Sequence, residues 1–562
     1  MRTIDAIAEI LKREGINILP SFPTTPVIEA AAAAGIKPVV CRQERVGVGI
    51  ADGWSRVKNG KPAGAFAMQY GPGAENAYAG VSTAFSDAVP MLLLPLGHPL
   101  DRDRVFPNFS SIRSYESVTK FAEQVNQPRR VGDTLRRAFA QMRSGRPGPA
   151  LVEIPVDVGN AEVEPSVVEN YRPVKIARAQ ANPEEVLSAA KALLAARCPV
   201  IQAGQGVLYA EATKELVELA ELVQIPVYST LAGKSAFPER HALALGSAEA
   251  AMNGAAFHFL KEADLVFAAG SSLSKHNMCA NIPGRKIIIH NTADSIDHNK
   301  SYYADFPVLG DAKLVLRQFI DACRELLKGK ARDGAPVREE IARLRAAWLK
   351  HWSPKSTSND TPINPYRVIS DFMQVVDPDT AIVTHDSGSP RYQMMPCYRA
   401  GGPRSYLGWG KSHQLGTGLG LIMGAKLASP DKFCVNFMGD AAFGMTGLDF
   451  ETAVRSNIPI LTVVLNNSSM AVETRHMKTS HDLFRTRDLR GNYADIAKAL
   501  GGWSERVSSP EQIKDAIGRA RKVTESGRAA LLEFVTAEES TVSHLHELRC
   551  GRFLTQIKSA CE

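Results

Sequence analysis

At 562 residues the chain is long enough for several domains of roughly 100–200 residues each. An apolar share of 44% beside 22% charged residues is that of a soluble globular protein with large cores, and a net charge of +7 without a long basic run gives no sign of nucleic-acid binding. Eight cysteines scattered singly, with no CxxC pair, indicate neither a disulfide framework nor a zinc site.

Met1 opens directly onto an amphipathic helix carrying Ile4, Ile7, Ile10 and Leu11, not onto a charged-then-apolar leader. No apolar run reaches membrane-spanning length, so the expectation is a cytoplasmic protein without membrane contact. A first block, 1–165, alternates strands and helices. One buried strand follows Gly15, the next is Pro38-Val-Val-Cys-Arg42, and then comes a helix from Glu44 whose Gly47, Gly49 and Ala51 offer a face for close approach. A strand at Gly64–Met68 ends in the glycine loop Gln69-Tyr-Gly71-Pro-Gly-Ala-Glu-Asn76, and strands at Met91–Leu96 and Ala150–Ile154 complete the pattern. A proline-interrupted linker leads to a second block, 182–327, with strands at Pro199–Ala203, Pro226–Thr230, Leu265–Ala269 and Lys286–His290 and glycine turns at Gly204, Gly206 and Gly270. A charged connector, 328–361, holds a helix at Val337–His351. The third block, 362–543, has strands at Ala381–Thr384, Phe433–Phe437, Ile458–Leu465 and Ala530–Val535, followed by a polar, weakly helical tail, 544–562. The fold class this predicts is α/β: three doubly wound domains with mostly parallel sheets.

One stretch of the third block carries chemistry. An apolar strand runs into Gly439-Asp440, a helix follows, and a second apolar strand stops at Asn466-Asn467. Parallel strands end on the same edge, which places Asp440 and Asn467 side by side. A carboxylate and an amide oxygen are hard donors, suited to a magnesium ion that keeps further ligands for a phosphate. The first amides of the helix can face that phosphate as well.

This arrangement resembles the diphosphate-and-magnesium signature of thiamine-diphosphate enzymes, with Ala441 where the family usually has glycine. The three successive blocks resemble the pyrimidine-binding, central and diphosphate-binding domains of the acetohydroxyacid synthase, pyruvate oxidase and 2-oxo acid decarboxylase group, over nearly the whole chain. The local phrasing is most similar to the synthase: Arg42-Gln-Glu44, Gly71-Pro-Gly-Ala74, Arg143-Ser-Gly-Arg-Pro-Gly-Pro-Ala-Leu-Val-Glu-Ile-Pro155 and Gly233-Lys-Ser-Ala-Phe-Pro-Glu239.

The resemblance implies thiamine diphosphate and Mg2+ as cofactors. Asp440 and Asn467 become side-chain metal ligands and Ser469 a carbonyl ligand. Gly439, Ala441, Ala442, Gly71 and the Asp386-Ser387-Gly388 loop line the cofactor. The carbonyl of His413 reaches the pyrimidine amine, and Leu415 wedges beneath the bent cofactor. Glu44 takes the place of the acid that activates the aminopyrimidine. Glu473 lies where decarboxylases have a proton-delivering glutamate, with His476 and Arg475 suited to a substrate carboxylate. The resemblance also implies that the pyrimidine and diphosphate halves of each site come from different subunits of a homodimer or homotetramer. Two departures argue against acetolactate synthesis proper: Pro107 replaces a substrate-side glutamine, and Gly270-Ser-Ser-Leu-Ser-Lys-His276 replaces the Arg-Phe-Asp-Asp-Arg run that contacts FAD. Lys120 keeps a lysine of the synthase's site entrance. The expected activity is cleavage or formation of a C–C bond beside a carbonyl, most simply 2-oxo acid decarboxylation or carboligation on a small-molecule substrate. The alternatives are a 2-hydroxyacyl-CoA lyase, whose tail with Arg549 and Arg552 closes over the nucleotide, and a non-catalytic homologue.

Overall fold

The computed structural model describes residues 1–543; the tail expected from 544 onward, with Arg549 and Arg552, lies outside the described residues. Three six-stranded sheets, parallel throughout, organise the chain. The first holds β1 (Ile18–Phe22), β2 (Lys37–Val40), β3 (Gly64–Met68), β4 (Met91–Gly97), β5 (Phe121–Gln124) and β6 (Pro149–Pro155) in the order β2-β1-β3-β4-β6-β5. The second holds β7 (Pro199–Ala203), β8 (Val227–Ser229), β9 (Ala244–Ser247), β10 (Leu265–Ala269), β11 (Ile287–Thr292) and β12 (Phe306–Leu309), ordered β12-β11-β10-β7-β8-β9. The third holds β13 (Ala381–His385), β14 (Tyr406–Leu407), β15 (Phe433–Gly439), β16 (Leu461–Asn466), β17 (Trp503–Val507) and β18 (Ala530–Val535), ordered β14-β13-β15-β16-β18-β17.

Strands β3, β4, β7 and β10 are buried at every position, as strands covered by helices on both faces must be, which is why they read as unbroken apolar runs. The strand expected from Ile458 starts at Leu461. The first and third sheets share one strand order, so each turns back on itself between its first and third strands. In such sheets the crevice for a ligand opens at that reversal, beyond the carboxyl ends of the strands. The segments after β13 and β15 flank it in the third sheet, and those after β1 and β3 in the first. The central sheet instead has the dinucleotide-fold order, reversing between β7 and β10, which end at Gly204 and Gly270.

The first and third domains meet through two helices. The Glu44–Val57 helix packs along the Thr417–Ala428 helix with glycines on both sides of the contact. A Cβ on Gly53 would stand 2.0 Å from the Leu421 carbonyl oxygen, and one on Gly424 2.0 Å from that of Ile50. Close approach was expected of the first helix, but the face is Gly49 and Gly53. Gly47 instead lies against Phe66, and Ala51 against Gly64, both of its own sheet.

Candidate active site

The carboxyl end of β15 delivers Asp440 and that of β16 delivers Asn467, with the strands in register from Val435↔Leu461 to Gly439↔Leu465. Asp440 is 3% exposed. Its Oδ1 accepts from the Ala441 amide at 2.8 Å, and the amides of Ser468 and Ser469 also donate toward the carboxylate. Its Oδ2 is buried without a partner. Burial outweighs these donors and pushes its pKa up to about 6. Such a carboxylate is incompletely compensated, and a divalent cation is the group that would compensate it. Asn467 Oδ1 accepts from the Ser469 amide at 3.0 Å, a turn in which Ser468 takes a φ of 54°. The three expected metal ligands are therefore one cluster. Among the described residues no group of three or more His, Cys, Asp and Glu side chains is placed to hold a metal, so a metal at Asp440 would rely on amide and carbonyl oxygens.

The backbone at the turn before Asp440 is open: a Cβ on Gly439 would meet nothing within 4 Å, and the same holds at Gly71 in the first domain. Gly388, at φ 88°, opens the Ser389–Cys397 helix, and a Cβ there would meet only Leu415 Cδ2 and Val472 Cγ2, each at 4.0 Å. Leu415 thus faces the segment that carries Glu473 across Gly388. Glu473 is half-buried in the turn Ala471–Arg475, while His476 is exposed.

Asp386 organises the loops around it. Its oxygens accept from the amides of Ser387, Gly416 and Gly418, each at 2.8 Å, so it fastens the loop that presents Leu415. Ser387 Oγ donates to the His413 carbonyl at 2.8 Å, occupying one lone pair of the oxygen expected to meet the pyrimidine and fixing its direction.

Glu44 begins its helix at the end of β2, 4% exposed. Burial raises its pKa, opposed by a hydrogen bond from the Asn76 side chain on the Pro72–Ser86 helix. Its neighbour Arg45 donates to the Met445 carbonyl at 3.3 Å, and the Arg42 amide donates to Asp449 at 2.8 Å. The helix that carries Glu44 is therefore seated on the third domain of the same chain. The helix pairing also brings the first and third domains together within one chain.

The comparisons agree with this arrangement. Residues 1–117 match the family model described as thiamine pyrophosphate enzyme, N-terminal TPP binding domain. Residues 186–319 match the central domain, and 386–534 the C-terminal TPP binding domain. A probable acetolactate synthase large subunit of Methanocaldococcus jannaschii is 30% identical over 92% of this chain and 90% of its own length. The chain belongs to the thiamine pyrophosphate enzymes. A probable acetolactate synthase large subunit of Methanococcus aeolicus is 28% identical over 97% of this chain and 93% of its own length. The Escherichia coli acetolactate synthase isozyme 3 large subunit is 26% identical over 97% and 96% respectively.

In this thiamine pyrophosphate enzyme an ion network that sequence reasoning missed braces the site. Arg56, 1% exposed, pairs with Asp52 and with Asp87 at 3.1 Å, and donates to the Gly408 carbonyl at 2.8 Å. Asp87 accepts in turn from the amides of Gly410 and Lys411 at 3.3 and 3.4 Å. The first domain thereby holds the strand-end segment that leads to His413 and Leu415. The signal in the sequence is an Asp and an Arg four apart on the helix that Glu44 opens.

A cavity of about 570 Å³ opens at the reversal of the central sheet, lined by Gly204, Gly206, Gly270 and His276 and also by Gly410 and Lys411. The run expected to replace a flavin contact forms part of its wall.

Proposed function

We propose that the chain is a magnesium- and thiamine-diphosphate-dependent enzyme of acetolactate-synthase-like type that decarboxylates a 2-oxo acid and joins the remaining fragment to a carbonyl acceptor or releases it. The observation that carries this is the buried, unpartnered Asp440 oxygen beside Asn467 and Ser469, at the ligand-binding reversal of a sheet whose facing domain supplies a buried acid, Glu44. Asp440, Asn467 and the Ser469 carbonyl would hold the metal, and Gly388 and Gly439 leave their backbone open to a diphosphate that would lie against the turn of Ala441 and Ala442. When bound, thiamine diphosphate supplies the electron sink for a bond broken or formed beside a carbonyl.

Glu44 holds and moves a proton at the aminopyrimidine; burial shifts its pKa toward neutrality, the right direction for that work. Leu415 would pack under the cofactor, and the His413 carbonyl would accept from its amine. Glu473 delivers or removes a proton on the substrate side, and His476 with Arg475 lies at the solvent edge of that side. A homodimer or homotetramer, a cytoplasmic setting and the absence of FAD belong to the same reading, on the strength of the resemblance alone. Among the described residues no helix is long and apolar enough to cross a membrane.

The cavity at the dinucleotide-type reversal of the central sheet supports a second reading, a 2-hydroxyacyl-CoA lyase whose substrate nucleotide occupies it. One assay separates the two. With magnesium and thiamine diphosphate supplied, a panel of 2-oxo acids is expected to release CO2, while 2-hydroxyacyl-CoA thioesters are expected to be stable. Thioester cleavage without 2-oxo acid turnover would replace the first reading by the second.

A further inference from the structure

Arg391 sits in the first turn of the Ser389–Cys397 helix, three residues after Gly388, and is 2% exposed. Its Nε and Nη1 are buried with no hydrogen-bond partner. The Tyr392 ring, 5.2 Å from its guanidinium carbon, is a poor substitute for a counter-ion. A guanidinium buried without a hydrogen-bond partner is costly, so Arg391 is suited to receive an anion.

The direction it faces is given by its neighbours. Nη1 lies 3.3 Å from where a Cβ on Gly410 would stand, and Gly410 and Lys411 line the central cavity, so Arg391 stands directly behind its wall. Glu249 and His276 line the same cavity, and both feel the Arg391 charge. Glu249 accepts from the Leu231 amide at 3.0 Å, and burial pushes its pKa up to about 7. His276 accepts at Nδ1 from the Met278 amide at 3.2 Å, while burial and then Lys411 push its pKa down to about 4, so the ring is neutral. Asp87, another carboxylate of the lining, is committed to Arg56 and to the backbone of Gly410 and Lys411. Asp386, the buried carboxylate that also feels Arg391, is committed to the amides of Ser387, Gly416 and Gly418. The carboxylates around Arg391 and Lys411 are therefore taken up by other donors, two residues from His413 and beside the loop of Gly388.

We propose that Arg391 and Lys411 form the pocket that receives the carboxylate of the 2-oxo acid substrate, entering by the central cavity. This rests on the reading of the chain as a 2-oxo acid enzyme and names the residues that select for the acid. Arginine suits the task because its planar fork matches a carboxylate bidentately, and a site desolvated to this degree discriminates strongly against a neutral isostere.

The test uses the enzyme loaded with magnesium and thiamine diphosphate, titrated calorimetrically with lactate, which cannot lose CO2 by this route, and with lactamide, its uncharged isostere. Lactate is expected to bind and lactamide not. Arg391→Met is expected to weaken lactate binding by about tenfold or more, the usual consequence of truncating one partner of a buried charge pair. It should leave the affinity for thiamine diphosphate unchanged and the unloaded protein no less heat-stable, because a strained charge has been removed. Arg391→Lys should recover part of the loss. Equal binding of lactate and lactamide to wild type, or lactate binding unaltered in Arg391→Met, overturns the proposal. So does a variant that loses the cofactor rather than lactate, since Arg391 would then serve the diphosphate. If Arg391→Met does not fold, Lys411→Met carries the test, and unaltered lactate affinity there is the contradicting result. A wild-type protein that takes up no thiamine diphosphate would instead refute the underlying reading.

Discussion

Asp440→Ala is expected to abolish magnesium-dependent retention of thiamine diphosphate while leaving the fold in place. The side chain stands at a strand end, and its carboxylate bonds only to neighbouring backbone amides, so removing it opens no apolar core. What is lost is the one charged oxygen in a cluster otherwise made of amide and carbonyl oxygens, and magnesium is held chiefly by such carboxylates. The unloaded variant should melt no lower than wild type, because the buried oxygen without a partner is a burden on the unloaded protein. Dialysis with excess magnesium, followed by fluorimetric assay of retained thiamine, would measure the effect. Retention equal to wild type would mean that the metal sits elsewhere.

Glu44→Gln should separate binding from activation. The amide keeps the shape of the acid and its place against Asn76, so the cofactor should still bind. The proton it holds can no longer be exchanged, and turnover should fall by about two to four orders of magnitude, the common contribution of a positioned acid or base. Steady-state turnover at saturating cofactor reads this directly. Turnover close to wild type would reduce Glu44 to a buried residue at the start of a helix.

How much of this was legible beforehand follows from what each feature depends on. Strands buried on both faces, such as β3, β10 and β16, are continuous apolar runs that stop abruptly, so their carboxyl ends, and with them Asp440, Asn467 and the Gly71 loop, could be placed from sequence. Edge strands have one row of neighbours and mixed exposure. The half-buried β5 with its Glu123 and Gln124, β12, and β17 with Ser504, Glu505 and Arg506 read as loop and went unseen. The two-residue β14 is too short to leave any period.

The site divides in the same way. Residues that act through a strand end are local facts. The loop of Asp386 is legible from its strand end, while only the folded chain shows its oxygens bonded to the amides of Ser387, Gly416 and Gly418. The bracing of Gly408–Lys411 by Arg56 and Asp87 joins residues more than three hundred positions apart, which no spacing in the sequence reports. Arg391 is invisible for the opposite reason. An arginine in a helix is ordinarily a solvated residue, and its significance lies in being buried without a partner.

The central claim is that the carboxyl ends of β15 and β16 hold a magnesium–diphosphate pair. The measurement that tests it most directly is a calorimetric titration of the wild-type protein with thiamine diphosphate, once with magnesium and once with a chelator. Saturable binding of one thiamine diphosphate per chain, present with magnesium and lost with the chelator, is the predicted result. Binding of equal strength under both conditions, or no binding under either, would contradict it.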